Sequence, residues 1–526
     1  MPKLPNFSEE ELTPNVLQLL EVSHYQRELI HALRDEVAQL KGNKPKPKIR
    51  PSNMDKDAGK DKGGNSSKDK KRSGSSKKKK TKELAIHKKK TIKADNIPFG
   101  SEFKGYKEFV VQDIVINPYN TLYRMERWKT PSGNYVEGKL PSSVNGHFGS
   151  KLVSYTLYQY YQCHVTQPLL LEELHEFGID ISSGQISNIL IGDHDDFHAE
   201  KDDILSTGLE ISPYIQADDT GARHNGKNGY CTHIGNEFFA WFESTDSKSR
   251  INFLKLLRAG NTDYVLNTDA IEYMGEKKLP KRELRLLKSC LEQRFGDEAA
   301  WQQHLNTLGI CKKRHVKIAT EGALLGAVTA RGFNKELVIL SDDAGQFNVL
   351  LHALCWVHAE RTINKLGYFS EKQQQIIESK RNQVWDFYRE LKEYKKQQNE
   401  GKATELEARF EHIFTTKTSY VSLDIVLERI YDNKDELLLV LKRPEIPLHN
   451  NSSESDIREY VKKRKISGGT RSSPGRKSRD TFTSLKKTCR KLGVSFWDYL
   501  NDRVTGRGVL AQLSNLMRET AATSTY

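Results

Sequence analysis

Apolar residues recur with helical spacing near the start of the chain, at Leu12, Val16, Leu19 and Val22 and again at Ile30, Leu33, Val37 and Leu40, which predicts a helix over residues 8–42. The 3-4-3 spacing of its second half suits a short coiled coil that pairs protomers; a helix packed on its own domain carries the same stripe. Periodicity stops over 43–93. It resumes as the β-rich runs FVVQDIVI (109–116) and TLYRMERW (121–128), separated by the turn residues Asn117 to Asn120, so a hairpin in a small β-rich domain is expected over 95–145. Within 146–195, LLLEELHEFGIDISSGQISNIL (169–190) reads as helix, turn at Gly178, and a second helix capped near Ser182 or Ser183. Leu170, Leu171, Leu174, Ile179, Ile181, Ile186 and Ile189 would form its core, either as a DNA-binding helix-turn-helix or as an ordinary helical hairpin.

From about residue 205 the pattern turns α/β. Strands are expected at 213–218 (PYIQAD), 230–235, 238–243 and 336–341 (ELVILS), with a helix from about Val349 to Leu366. The first core segment, 205–369, carries a helical insert at 270–333, and a second helical insertion occupies 370–445, with Ile377, Val384, Tyr388 and Leu391 on one face. A second core segment, 446–505, opens with a helix and is followed by a tail, 506–526.

Length and charge refine this picture. A chain of 526 residues has room for roughly three domains and ample core. It has no apolar run of the roughly 18 residues a membrane helix needs, and its start, MPKLPNFSEEEL, lacks the features of a signal peptide, so a soluble, cytoplasmic, nucleoid-associated protein is expected. The six cysteines are scattered with no Cys-x-x-Cys pair, which suits reduced thiols. The net charge is +14, but residues 43–93 hold 20 Lys and Arg against 5 Asp and Glu, so this stretch carries +15 and the rest −1. Its Lys/Ser/Gly/Asp composition cannot bury a core, so it is expected to be a disordered basic linker, attracted to nucleic-acid phosphates or serving as a spacer.

Three acids stand where strands and a helix would deliver them: Asp218 after YIQA, Asp342 after LVILS, and Glu454 at a helix start. Carboxylates converging from such positions can hold two divalent cations and support in-line phosphoryl transfer, and hard Mg²⁺ prefers oxygen ligands. Each also has a plain structural explanation. Asp218-Asp-Thr-Gly221 and Asp342-Asp-Ala-Gly345 are turn-forming sequences, and Asn451-Ser-Ser-Glu454 is close to a capping box.

The segments YIQADDTGARHNGKNGYCTHIGNEFFAWF, LVILSDDAGQFNVLLHALCWVHAER and IPLHNNSSESDIREYVKKRK resemble the DDE transposases of bacterial insertion sequences, of the insertion sequence sixty-six type, over about residues 200–505. The resemblance implies a ribonuclease-H-like core, Mg²⁺-dependent cleavage at the ends of a mobile element with Mn²⁺ as a substitute, and joining of the freed 3′-hydroxyls to target DNA. It implies that Asp218, Asp342 and Glu454 are catalytic and hold two Mg²⁺. It further implies two DNA ends, at least a dimer, and helper proteins from the same element.

Asp219 stands where the family has Glu and takes a neighbouring role; Asp343 is the register rival of Asp342, and Asp269 a weaker one. Cys355, His358 and Arg361 resemble the family's Cys-Trp-x-His-x-Arg-Arg and would orient the site beside Asp342. Cys355 and His358 could instead form half of a zinc site with Cys311 and His315, or simply be buried and satisfied. Ser455 replaces the family's Arg after the Glu. The family's Cys-rich zinc module before the core is missing, since no cysteine precedes Cys163. Arg458, Lys462, Lys463, Arg464 and Lys465 share a helix with Glu454, and Arg471, Arg476, Lys477 and Arg479 fall in a Gly/Ser-rich loop; beside a phosphoryl-transfer site they would contact DNA backbone. A catalytically inactive DNA-binding or repressor protein, and a structure-specific nuclease on the same fold, are the alternatives.

Overall fold

The structure, a computed structural model, describes residues 85–523 apart from 94, 96–98, 100, 105, 142, 143, 145, 332, 333 and 335, together with Val16, Leu19, Val22, Ser23 and Gln26. Those five are helical; the rest of the expected coiled coil, and the linker up to residue 84, lie outside the described residues. Among the described residues no helix is long and apolar enough to cross a membrane, and all six cysteines are free thiols.

The described part of 50–119 forms a unit of its own without helix or strand, and its apolar side chains are exposed, Phe109 at 89% and Val115 at 81%. The hairpin expected from 109–116 and 121–128 does not form. Instead β1 (Arg127–Lys129) pairs with β2 (Tyr135–Glu137) across a turn in which Gly133 takes φ 86°. Alternation alone does not make a strand: a run without an apolar layer against it has nothing to pack on.

The helices α1 (Ser150–Leu157), α2 (Gln167–Glu176), α3 (Ser183–Ile191) and α4 (Asp195–Ile211) precede the sheet. The α2–α3 pair forms the two helices and the turn read from the sequence: Gly178 has φ 78°, Leu170, Leu174, Ile181, Ile186 and Leu190 are buried, and Ser182 caps α3 in a reciprocal bond with Gln185.

A five-stranded sheet is the frame of the site. Its strands β3 (Tyr214–Gly221), β4 (Tyr230–Gly235) and β5 (Ala240–Thr245) are antiparallel, while β8 (Val338–Ser341) and β9 (Leu351–Leu354) run parallel to β3, in the order β5-β4-β3-β8-β9. Two sequence expectations change here. Asp218 lies within β3, which continues to Gly221, rather than at its end. The helix expected from Val349 begins only as α10 (Trp356–Asn364), because LHAL forms β9; so short an apolar run does not declare its period.

Between β5 and β8 the chain forms α5 (Arg250–Leu257), β6 (Tyr264–Val265), α6 (Thr268–Glu276), α7 (Lys281–Lys288), β7 (Arg294–Phe295), α8 (Glu298–Thr307) and α9 (Lys313–Thr329), with Trp301 buried and stacked on Tyr264. The second helical block comprises α11 (Glu371–Lys396), α12 (Glu400–Thr415), α13 (Val421–Asp432) and α14 (Lys434–Leu437); its Phe387 and Phe410 pack on Trp356 of α10. Then follow α15 (Asn451–Ser467), α16 (Ser473–Lys491), α17 (Phe496–Thr505) and α18 (Leu513–Thr523). The expected loop around Arg476, Lys477 and Arg479 is therefore the first turns of α16, capped by Ser472. The expected tail is a packed helix, with Leu513 and Met517 fully buried.

The helix α16 also covers the sheet edge. The outward N–H groups of β5 at Ala240, Phe242 and Ser244 donate to Thr488 Oγ1 (3.1 Å), Ser484 Oγ (2.9 Å) and Asp480 Oδ2 (2.8 Å). Residues four apart on a helix line one face, so Asp480, Ser484 and Thr488 satisfy an edge that would otherwise invite another strand.

Candidate active site

Successive strand residues point to opposite faces of a sheet. Tyr214, Gln216 and Asp218 of β3 share one face, and Val338 and Leu340 of β8, paired with Tyr214 and Gln216, lie on it too; Asp342 continues that parity. The helix α15 lies over this face. Its N-terminus is fixed there by Asn450 Nδ2 donating to the Ala217 carbonyl (3.1 Å), Ser453 N–H donating to Gln216 Oε1 (3.1 Å) and Asn450 N–H donating to Cys355 Sγ (3.3 Å). Thus β3, the end of β8 and the first turn of α15 put Asp342 and Glu454 near enough to Asp218 to act on its charge.

Electrostatics register the gathering. The Asp218 carboxyl is pushed up to about 8, first by burial, then by Asp342, with Asp219 and Glu454 adding, against the Asp219 N–H that it accepts at 2.7 Å. Asp342 Oδ1 accepts the Ala344 N–H at 3.2 Å. Glu454 does not close a capping box. Asn450 is the helix cap, and the Glu454 carboxylate takes Arg361 Nη1 at 3.1 Å and Arg458 Nη2 at 3.4 Å, with His358 Nε2 at 3.7 Å. Burial and the neighbouring Arg361 pull the His358 imidazole below its ordinary value. Arg361 Nη2 is buried without an acceptor among the described residues.

The neighbouring acids separate cleanly. Asp219 points to the opposite face, where it accepts Thr232 Oγ1 (2.5 Å) and Gln346 Nε2 (2.9 Å) and ties β3 to the loop after Asp342; burial raises it. Asp343 is exposed and paired with Arg429 of α13 at 2.6 Å. Among the described residues no group of three or more His, Cys, Asp or Glu is arranged to hold a metal ion. The alternative zinc set of Cys311, His315, Cys355 and His358 is not assembled either: Cys355 is buried, Cys311 is exposed, and His315 faces Glu283 at 3.4 Å.

The basic residues divide by exposure. Arg458, Lys462, Lys465, Arg471 and Lys477 are exposed. Lys463 is not a surface contact: it is buried, donates to the Tyr160 carbonyl at 2.6 Å, and burial pulls it down to about 7. Arg464 turns inward to Thr220 (3.2 Å) and the Gly221 carbonyl, and Arg479 to the Gly468 carbonyl (2.9 Å). Arg476 pairs with Asp246 at 2.8 Å. Helical periodicity explains the division, since residues 463 and 464 fall on the inner side of α15.

Sequence reasoning missed a buried polar layer beneath α15. His233 of β4 stands opposite Asp218 and lies 2.7 Å from Ser453 Oγ and 3.2 Å from Asp456 Oδ2, the latter too poorly aligned for a hydrogen bond. Burial pulls the imidazole down. Asp456 also faces Lys487 (2.7 Å) and Lys491 (2.9 Å); burial acts to raise it, but His233 and the two lysines outweigh this and hold it below the carboxylate range. The sequence signal was present in the alternation of β4, which places His233 on the Asp218 face.

The sequence profile of the family described as "Transposase IS66 family" matches residues 330–478, a span that includes Asp342 and Glu454 but not Asp218. A protein of Sinorhizobium fredii (strain NBRC 101917 / NGR234), described as uncharacterized protein y4jO, is 46% identical over 303 residues, 57% of this chain and 94% of its own length. The match spans β8, β9, α10 and α15, which carry Asp342 and Glu454, and leaves out β3 and β4; the chain belongs to the IS66 family of transposases.

Proposed function

We propose that the chain is a DNA transposase that cleaves the ends of a mobile element and joins the freed 3′-hydroxyls to target DNA, on a ribonuclease-H-like core. The observation that carries this is that Asp342 and Glu454 lie near enough to Asp218 to raise it beyond what burial does. The sheet order β5-β4-β3-β8-β9, three strands antiparallel and two parallel to the first, supports the fold reading.

The donor types suit divalent cations, since three carboxylates are hard oxygen ligands and a desolvated acid crowded by like charges is stabilised by a cation, although the three are not arranged around an ion while Arg361 holds Glu454. Asp218, Asp342 and Glu454 would hold two Mg²⁺, with Mn²⁺ as a substitute. When bound, such ions activate the attacking water or 3′-hydroxyl and neutralise the leaving oxygen. Glu454 must leave Arg361 to join the other acids. Arg361, with Nη2 already lacking an acceptor, is then free to donate to a non-bridging oxygen of the scissile phosphate. Arg458, Lys462, Lys465, Arg471 and Lys477 offer the DNA backbone exposed cations along α15, the turn after it and the start of α16. Ser183 and Asn188, exposed on α3, are candidates for base-edge contact. Two DNA ends imply at least a dimer, and helper proteins of the same element are further candidate partners, acting in the bacterial cytoplasm.

A second reading, an inactive DNA-binding descendant, is favoured by one observation: Glu454 is engaged by Arg361 and Arg458 rather than by the other acids. Labelled duplexes carrying the element's terminus, incubated with Mg²⁺, separate the two. Glu454→Gln should abolish cleavage and leave DNA binding within a few-fold; equal cleavage by the variant, or none by wild type, overturns the transposase reading.

A further inference from the structure

His233 has no task in the chemistry above, yet it is fully buried opposite Asp218 and touches residues on both sides of Glu454. Its Nδ1 lies 2.7 Å from Ser453 Oγ and its Nε2 3.2 Å from Asp456 Oδ2. Ser, His and Asp are the residue types of a hydrolytic triad, but Ser453 is fully buried and cannot meet a substrate. The arrangement is mechanical. Residues three apart share a helix face, so one imidazole on β4 is hydrogen-bonded to Ser453 and seated against Asp456 on the same face of α15, while Lys487 and Lys491 of α16 hold Asp456 at 2.7 and 2.9 Å.

We propose that His233 is a positioning residue that fixes the rotation of α15 about its axis, and thereby sets the Glu454 carboxylate against Asp218. This rests on the reading of Glu454 and Asp218 as partners in metal binding. A side chain ends about 5–6 Å from the helix axis, so a roll of about 10° carries it about 1 Å. A displacement of about 1 Å at a reacting centre costs roughly a hundredfold in rate.

The test uses the full chain. His233→Phe keeps a ring against Phe242, whose centroid is 5.0 Å away, but removes both nitrogens. Ser453→Ala removes one grip from the helix side, and His233→Gln restores one polar contact. Single-turnover cleavage should fall about a hundredfold in His233→Phe, with DNA affinity unchanged within twofold. Calorimetric titration of the DNA-free protein with Mn²⁺ should show binding weakened about tenfold. The Ser453→Ala change should add nothing on top of His233→Phe, and His233→Gln should recover part of both losses. A folded His233→Phe variant that cleaves and binds Mn²⁺ as wild type does overturns the clamp and leaves the functional reading intact. Wild type that neither cleaves nor takes up Mn²⁺ removes the functional reading and the clamp with it. Should His233→Phe fail to fold, Ser453→Ala decides by the same two readouts.

Discussion

Replacing Asp218 by Asn should stabilise the metal-free protein while ending its chemistry. The amide keeps the shape and can still accept the Asp219 N–H, but it carries no charge toward Asp342 and Glu454. The folded carboxyl titrates at about 8 against an ordinary 3.8. A folded-state value above the unfolded one means that its contribution to stability is full below about pH 4 and is lost as pH rises through about 8. Taken without screening, that shift amounts to about 5 kcal/mol by pH 8; solvent screening at a half-buried site reduces it to on the order of 2 kcal/mol. Thermal unfolding in EDTA at pH 5 and pH 8 reads it. Asp218→Asn should melt about 2 °C above wild type at pH 8, with the gap narrowing toward pH 5. Saturating Mg²⁺ at pH 8 should raise the wild-type midpoint and leave the variant's nearly unchanged. A variant no more stable than wild type at pH 8, or a gap independent of pH, refutes the crowding of these acids.

Two further predictions concern surfaces. Alanine at Lys462, Lys465, Arg471 and Lys477 together should weaken DNA binding regardless of sequence and lower the slope of log affinity against log salt by about 3.6, whereas Lys463→Met should leave the slope unchanged; filter binding across a salt series checks both. Ser484→Ala with Thr488→Val should strip two N–H groups of β5 of their acceptors, cost about 1–3 kcal/mol each, and promote aggregation, measured by urea unfolding and light scattering.

Much of the site could be read from the chain because its chemistry sits on local pattern. Asp218 follows the short apolar run YIQA within β3, Asp342 follows the apolar strand β8, and Glu454 lies in the first turn of a helix after Asn450, so their placement on neighbouring elements needed only the sheet order. The rest depended on tertiary partners. Lys463 and Lys465 look alike in sequence; only the seating of α15 on the sheet decides that one is buried against Tyr160 and the other exposed. Glu454 fits a capping box on paper, but Arg361, 93 residues away in sequence, takes its carboxylate. The run 109–116 has every local mark of a strand and forms none, because strands are stabilised by what packs on them. Alternation places His233 on one face of β4, but nothing in YCTHIG distinguishes a clamp from a buried, satisfied histidine until Ser453 and Asp456 are laid across it.

The central claim is that three acids on one face of this sheet make and join DNA ends. It is tested most directly by incubating purified wild type and Asp218→Ala with Mg²⁺ and a plasmid carrying the DNA that flanks the gene, then mapping nicks and junctions by sequencing. The account predicts end-specific nicks and joined products from wild type alone. Products from both proteins, or tight binding with no nicks from either, would contradict it.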